Sequence, residues 1–341
     1  DPSLTVTCPE GAQKADITIV MPSTLADGTD AQGQPMTYKV AANGTEVLTG
    51  SANGGETVTT TIDTELTGMV KFVATVSNEA GDSRDAKTNV YIGKAIPQAP
   101  ANVLLSWADN TFTLTWDAVT EAADEGYFNA AEVVYDIIDS EGNTVAADVA
   151  ATTWSTAQAE PESFTSFYFS VKAKYAGRTS EAGVSNILSL GSFKPAVTFD
   201  LTDEAVFNQH TILNANNDNK TWIYNSKGAQ YKYSGSNDAD DWLFSPSVYL
   251  QAGKAYDFTA TSFSQSNSYP EYMEIAMGTE CTAEAMTIEI APRTLITKEP
   301  VKFTASLVPT VSGIYHIGFH AVSEAGQYQF WVSDYTISEP Y

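Results

Sequence analysis

Positive charge is scarce in this chain. Its 341 residues hold 17 Lys and Arg against 42 Asp and Glu, a formal net charge of −25. Divided at two proline-containing joints into 1–96, 97–192 and 193–341, all three parts are acidic. That excludes nucleic acid and an anionic membrane surface as partners, because both require a basic face. Cysteine is nearly missing: Cys8 and Cys281 lie in different parts and cannot form a disulfide framework. No apolar run approaches the ~20 residues of a spanning helix. Catalytic signatures are lacking as well. There is no G-x-S-x-G elbow, H-E-x-x-H pair, G-x-G-x-x-G turn or phosphate-binding loop, so the chain reads as no enzyme.

What the chain has in quantity is alternation. Phe112, Leu114 and Trp116 repeat with period two, as do Phe167, Phe169 and Val171, then Tyr256, Phe258 and Ala260, then Tyr315, Ile317 and Phe319. Val, Thr, Tyr and Phe dominate these runs, as half-buried strands require. Turn signals fall between them at Asn43-Gly44, Glu141-Gly142-Asn143, Gly177 and Gly253. The fold class is all-β. Pro97 and Pro100 mark one joint and the stretch Gly191 to Pro195 the other. Proline stiffens a short linker and blocks strand pairing across it, which predicts three modules strung as beads.

The first two modules echo each other. Tyr38-x-Val40, Asn43-Gly44 and Val47 correspond to Tyr135-x-Ile137, Glu141-Gly142 and Val145. The second carries a tryptophan in LTWDAV (Trp116) and a closing SNI (Ser185 to Ile187), and here the chain resembles the fibronectin type III family. The first has Val20 where that tryptophan is usual, so a general immunoglobulin-like label also fits. The resemblance implies two sandwiches in series acting as spacers or interaction modules. In 193–341 the motifs ILNANNDNKTWIY, DDWLFSP, YLQAGKAYDF, EYMEIAMGT, GIYHIGFHAVS and WVSDYTI follow in order. Together they resemble the choice-of-anchor J or cleaved-adhesin modules of bacterial surface proteins, relatives of MAM domains. This implies a terminal jelly-roll sandwich.

Candidate chemistry sits mainly in that last part. Asp218, Asp241 and Asp334 are candidate metal ligands, with Asn214 or Asn216 completing an oxygen shell. The resemblance implies a structural calcium near the first and last strands, pairing the 214–218 turn or Asp200 and Asp203 with Asp334. Asn and Asp equally cap tight turns without any ion, and the family's aspartate is Asn214 in this chain. No cofactor is required; a structural calcium ion is the one optional ligand. His316 and His320 share a strand face but stand ~13 Å apart, too far to grip one ion. Cys281 has no basic neighbour in GTECTAEAM. Glu271 and Glu274 flank aromatics as a glycosidase pair would, although Glu274 fits ordinary strand patterning.

Aromatic residues are the other resource. Trp222, Trp242, Tyr269 and Tyr272 are the candidate ligand-binding residues, since sugar rings stack on exposed Trp and Tyr faces while Asn and Asp bond hydroxyls. Both tryptophans fit a sandwich core equally well. The loop SQSNSYPEY, holding Tyr269 and Tyr272, is long, polar and aromatic, hence a recognition edge. The expectation is a non-catalytic adhesin-like protein, secreted or at the cell surface, whose spacers present a jelly-roll to glycan or to host or matrix protein. A lipoprotein anchor or export signal is expected upstream of Asp1, and a monomer is expected. The alternatives are a scaffold module with no ligand of its own and an accessory domain of a glycan- or peptide-degrading system.

Overall fold

The computed structural model describes residues 1–340, and they are almost entirely β. Alternation sets the strands. In Lys14–Val20, Ala15, Ile17 and Ile19 are buried while Lys14 and Val20 face solvent. Asn43 and Gly44 both take positive φ, 49° and 88°, joining Pro35–Ala42 to Thr45–Asn53 through the tight turn that the sequence predicts.

Three sandwich cores follow along the chain. The first is enclosed by a three-stranded sheet (Ser3–Thr7, Lys14–Val20, Thr57–Asp63) and a second sheet built around Pro35–Ala42 and Gly68–Asn78. The second lies between the sheet of Leu104–Ala108, Thr111–Thr115 and Thr153–Ala157 and the sheet of Val134–Ile138, Thr144–Val149, Ser170–Tyr175 and Arg178–Val184. The third is the largest. A sheet centred on Gly313–Ala321 faces one centred on Gln329–Ser338, and Phe258, Met273, Ile317, Phe319, Phe330 and Tyr335 fill the space between.

The expectation of beads on a string is corrected at both joints. Strand Leu188–Leu190 pairs in parallel with Ser247–Leu250, Leu188 opposite Ser247 and Ser189 opposite Val248, so one sheet runs from the second sandwich into the third. Proline forbids pairing only where it stands, and this strand ends before Pro195. Side chains lock the junction. The Asn186 carboxamide, fixed within the second sandwich by accepting from Leu105 N at 2.8 Å, also donates to Ser247 Oγ at 3.3 Å, and Ser247 Oγ donates to the Ile187 carbonyl at 2.5 Å. The closing SNI motif is therefore the weld between two sandwiches. At the first joint, Tyr91 donates to Asp124 at 2.6 Å, and Arg178 reaches both Asp124 (3.7 Å) and the Lys94 carbonyl (3.1 Å).

Candidate ligand-binding site

Strand Gly228–Lys232 lies antiparallel to Gln329–Ser338, with Lys232 opposite Gln329. The pairing continues one step past the strand ends, where Tyr233 N donates to the Tyr328 carbonyl at 2.9 Å. Their rings come to 6.4 Å between centroids. Tyr269 enters from the loop after Tyr256–Ser264 and stands 5.8 Å from Tyr328. All three are open to solvent, at 40% for Tyr233, 38% for Tyr328 and 49% for Tyr269. They form a row of exposed aromatic faces along one edge of the third sandwich.

The row is held from beneath. Tyr328 N donates to the buried Glu271 carboxylate at 2.6 Å, and Gln265 N donates to the Gln329 carbonyl at 3.1 Å. The Gln329 side chain accepts from Gln230 and donates to Gln265. Beside the row is a recess of about 480 Å³ lined by Lys220, Lys232, Tyr233, Gly235, Tyr328 and Gln329. Among the described residues neither lysine has an ion-pair partner, and no carboxylate lines the recess.

Of the four aromatic residues picked from the sequence, only Tyr269 belongs to this row. Trp222 is 1% exposed, edge-on to Tyr231 and Phe330, and its indole N–H donates to the Asp241 carbonyl at 3.0 Å. Trp242 is also buried, its ring parallel to Phe244 at 5.6 Å and to His320 at 4.0 Å. Gly318 lies under it, where a Cβ would come within 2.9 Å of the indole. Both tryptophans are core, with no face left for a ligand. Tyr272 is half-buried on strand Glu271–Gly278 with the Arg293 guanidinium 3.6 Å over its ring, so its face already has a partner.

The three aspartates do not assemble as one site. Asp334 lies opposite Asp200 on the outer side of the last strand and accepts from Ser333 Oγ (2.7 Å) and Thr261 Oγ1 (3.3 Å). The neighbouring Tyr335 is fully buried, and alternation turns Asp334 away from the core that holds Asp241. The first and last strands do meet, pairing Asp200 with Asp334 as expected. Asp203 instead caps a short helical turn by accepting from Ala205 N. Asp218 accepts from Lys220 N (2.6 Å) and Asn237 Nδ2 (3.2 Å), and burial, with a smaller push from the Asp218 charge, raises the pKa of Asp241.

Asp241 is the anomaly. It is fully buried, and neither carboxylate oxygen makes a hydrogen bond of full geometry, although the Thr221 and Tyr231 hydroxyls stand near enough to favour its charged form. Around it Asn214 Oδ1, Thr221 Oγ1 and the Tyr231 hydroxyl are also buried and unpartnered. Asn214 is its cross-strand neighbour, and the two hydroxyls lie close enough to oppose the upward push of burial on its pKa. Among the described residues no three His, Cys, Asp or Glu side chains converge as a metal site. This group is instead one carboxylate with amide and hydroxyl oxygens, the donor set of a hard cation.

The other titratable residues singled out from the sequence have structural partners. His316 Nδ1–H donates to the Ser245 carbonyl at 2.8 Å. Cys281 Sγ is 3.4 Å from that nitrogen, a neighbour brought from 35 residues away that the local sequence does not show. Burial pushes the thiol up to about 11, so proximity produces no thiolate. His320 sits between Asp240 (2.8 Å) and Glu274 (3.4 Å). Glu271 points inward and Glu274 outward on the same strand, so they do not face each other as a glycosidase pair.

No family model and no curated protein matches the chain. Among solved structures it is similar to the K1 cleaved adhesin domain of Lys-gingipain from Porphyromonas gingivalis, at 12% identity over 43% of this chain and 99% of that one, with a TM-score of 0.35. It is similar too to the second N-terminal cellulose-binding domain of Cellulomonas fimi β-1,4-glucanase C, at 14% identity over 44% of this chain and 99% of that one, with a TM-score of 0.33. Over its whole length it aligns with all of the first three fibronectin domains of chicken CNTN1, at 12% identity and a TM-score of 0.28.

Proposed function

We propose that this chain is a non-catalytic glycan-binding module of an extracellular or surface protein, and that the row Tyr233–Tyr328–Tyr269 is its contact surface. The observation that carries this reading is the row itself: three tyrosines from distant segments, all exposed, with ring centroids 6.4 and 5.8 Å apart. Large exposed aromatic faces beside a polar recess suit the apolar faces and hydroxyl edges of sugars. The cleaved adhesin and cellulose-binding neighbours agree with a binding role. The second sandwich, welded to the third and joined to the first, acts as a stiff mount. The test is a glycan array probed with the full chain and with a Tyr269→Ala/Tyr328→Ala double variant. Binding that disappears in the variant supports the reading; a wild-type chain that binds no glycan, or a variant that binds undiminished, overturns it.

A structural cation at Asp241 is the second proposal, resting on its unpartnered oxygens. Asp241, Asn214 Oδ1, Thr221 and Tyr231 would hold it, joining strands Thr211–Asn214, Asp241–Phe244 and Gly228–Lys232. Calorimetry with calcium and then with EDTA tests it: a melting temperature that chelation leaves unchanged sinks the idea.

A further inference from the structure

We propose that the recess beside the tyrosine row selects anionic polysaccharides, with Lys220 and Lys232 holding the carboxylate or sulfate groups of the chain. The proposal rests on the glycan reading above and names the class of ligand. Its starting point is a local reversal of charge. The protein carries 42 acidic and 17 basic residues, yet two lysines and no carboxylate line this recess. Five lysines elsewhere are paired with carboxylates: Lys14 with Asp63, Lys39 with Glu46, Lys87 with Asp85, Lys174 with Asp136 and Asp148, and Lys254 with Glu339. Lys220 and Lys232 have no such partner among the described residues.

The chemistry of the lining narrows the ligand further. A lysine only donates, so its partner must supply acceptor oxygens. The one amide in the recess, Gln329, is spent on Gln230 and Gln265. Polar recognition therefore falls to the two ammonium groups and the tyrosine hydroxyls, a set suited to carboxylate or sulfate rather than to a donor-rich ligand. Lys220 is held on a fixed loop. Its N–H donates to Asp218 and its carbonyl accepts from Asn214 at 3.0 Å, so the charge is presented at a set place. A polyanion approaching this molecule is repelled by its net charge everywhere except at such a spot, which makes the site selective as well as attractive.

Affinity electrophoresis of the full chain through gels containing polygalacturonate, dextran sulfate, neutral dextran or neutral xylan tests this. The expected result is retardation by a charged polymer, with polygalacturonate and dextran sulfate separating carboxylate from sulfate recognition. A Lys220→Gln/Lys232→Gln variant is expected to weaken that binding about tenfold or more. The Lys220→Arg/Lys232→Arg variant, which keeps both charges, is expected to retain most of it, and thermal melts of both verify folding. Retardation by neutral polymers that the glutamine variant leaves intact overturns the anionic class while the glycan reading survives. Retardation by no polymer, or retardation untouched by Tyr269→Ala/Tyr328→Ala, overturns both.

Discussion

The edge of Trp107 meets the ring of Tyr249 at 4.8 Å and 84°, joining a strand of the second sandwich to a strand of the third. Trp107 is buried and fixed by donation of its indole N–H to the Gln158 carbonyl at 2.8 Å, so Tyr249 packs against an immobile partner. Tyr249 and Ile314 belong by sequence to the third sandwich yet pack on the second core, while Phe164 crosses the other way to lie 5.0 Å from Phe193. Crossing core contacts and a common sheet couple the two modules. Calorimetry of the full chain is expected to show the second and third sandwiches melting in one transition. Tyr249→Ala is expected to split or broaden it and cost about 2–4 kcal/mol. A variant melting like wild type would show that the junction carries no coupling.

His210 has a fixed tautomer. Its Nδ1–H donates to the Val206 carbonyl at 2.9 Å, so Nε2 accepts from the Tyr335 hydroxyl at 2.9 Å. Burial lowers its pKa to about 4, outweighing the backbone bonds to Val206 and Phe207 that favour the cation. The unfolded histidine takes up a proton near pH 6.5 while the folded one stays neutral until about 4. Stability is therefore lost as pH falls through that window, by up to ~3 kcal/mol. Urea midpoints from pH 7 to pH 4 check this. A His210→Gln variant is expected to be less stable at pH 7 and to show a flatter dependence; an unchanged slope would falsify the assignment.

The two aromatic classes separate in mutagenesis. Trp222→Ala removes a fully enclosed indole packed on Tyr231 and Phe330, and is expected to cost about 3–5 kcal/mol. Tyr269→Ala removes a ring half open to water, and is expected to change stability by no more than about 1 kcal/mol. Thermal melts of both distinguish core from contact surface, and equal losses would place Tyr269 in the core.

Alternation made the strands legible, because Lys14–Val20 or Tyr256–Ser264 can bury only one face. The length and polarity of the loop SQSNSYPEY, not alternation, located Tyr269. Alternation could not find Tyr233 and Tyr328, which are 95 residues apart in sequence and meet only through the register of Gly228–Lys232 against Gln329–Ser338. The same limit hid the weld at Leu188–Leu190, since three residues before a proline joint carry no sign of a partner 59 residues downstream. Clustering of Asn and Asp around Trp222 and Trp242 drew attention to a true anomaly, Asp241. The resemblance to cleaved-adhesin modules added Asp334 to the candidate ligands, and the structure places it opposite Asp200, on the other face of its strand from Asp241.

Asp241 gives the last prediction its sign. Burial raises the pKa of this carboxyl above its ordinary value of 3.8, so without a cation the folded state binds a proton more tightly than the unfolded state. In EDTA, stability is then expected to be greatest below pH 3.8 as far as this group is concerned, and to fall as pH rises through the raised pKa. Asp241→Asn is expected to flatten that fall and to raise stability near pH 7, because a neutral amide replaces a buried charge that the Thr221 and Tyr231 hydroxyls compensate only in part. Calcium inverts the sign, since the proton and the ion compete for the same oxygens and stability then rises with pH. The check is a set of melts of wild type and Asp241→Asn across pH 4 to 8, each with calcium and with EDTA. If calcium stabilises both proteins equally at every pH, Asp241 holds no ion and its burial is satisfied by a proton alone.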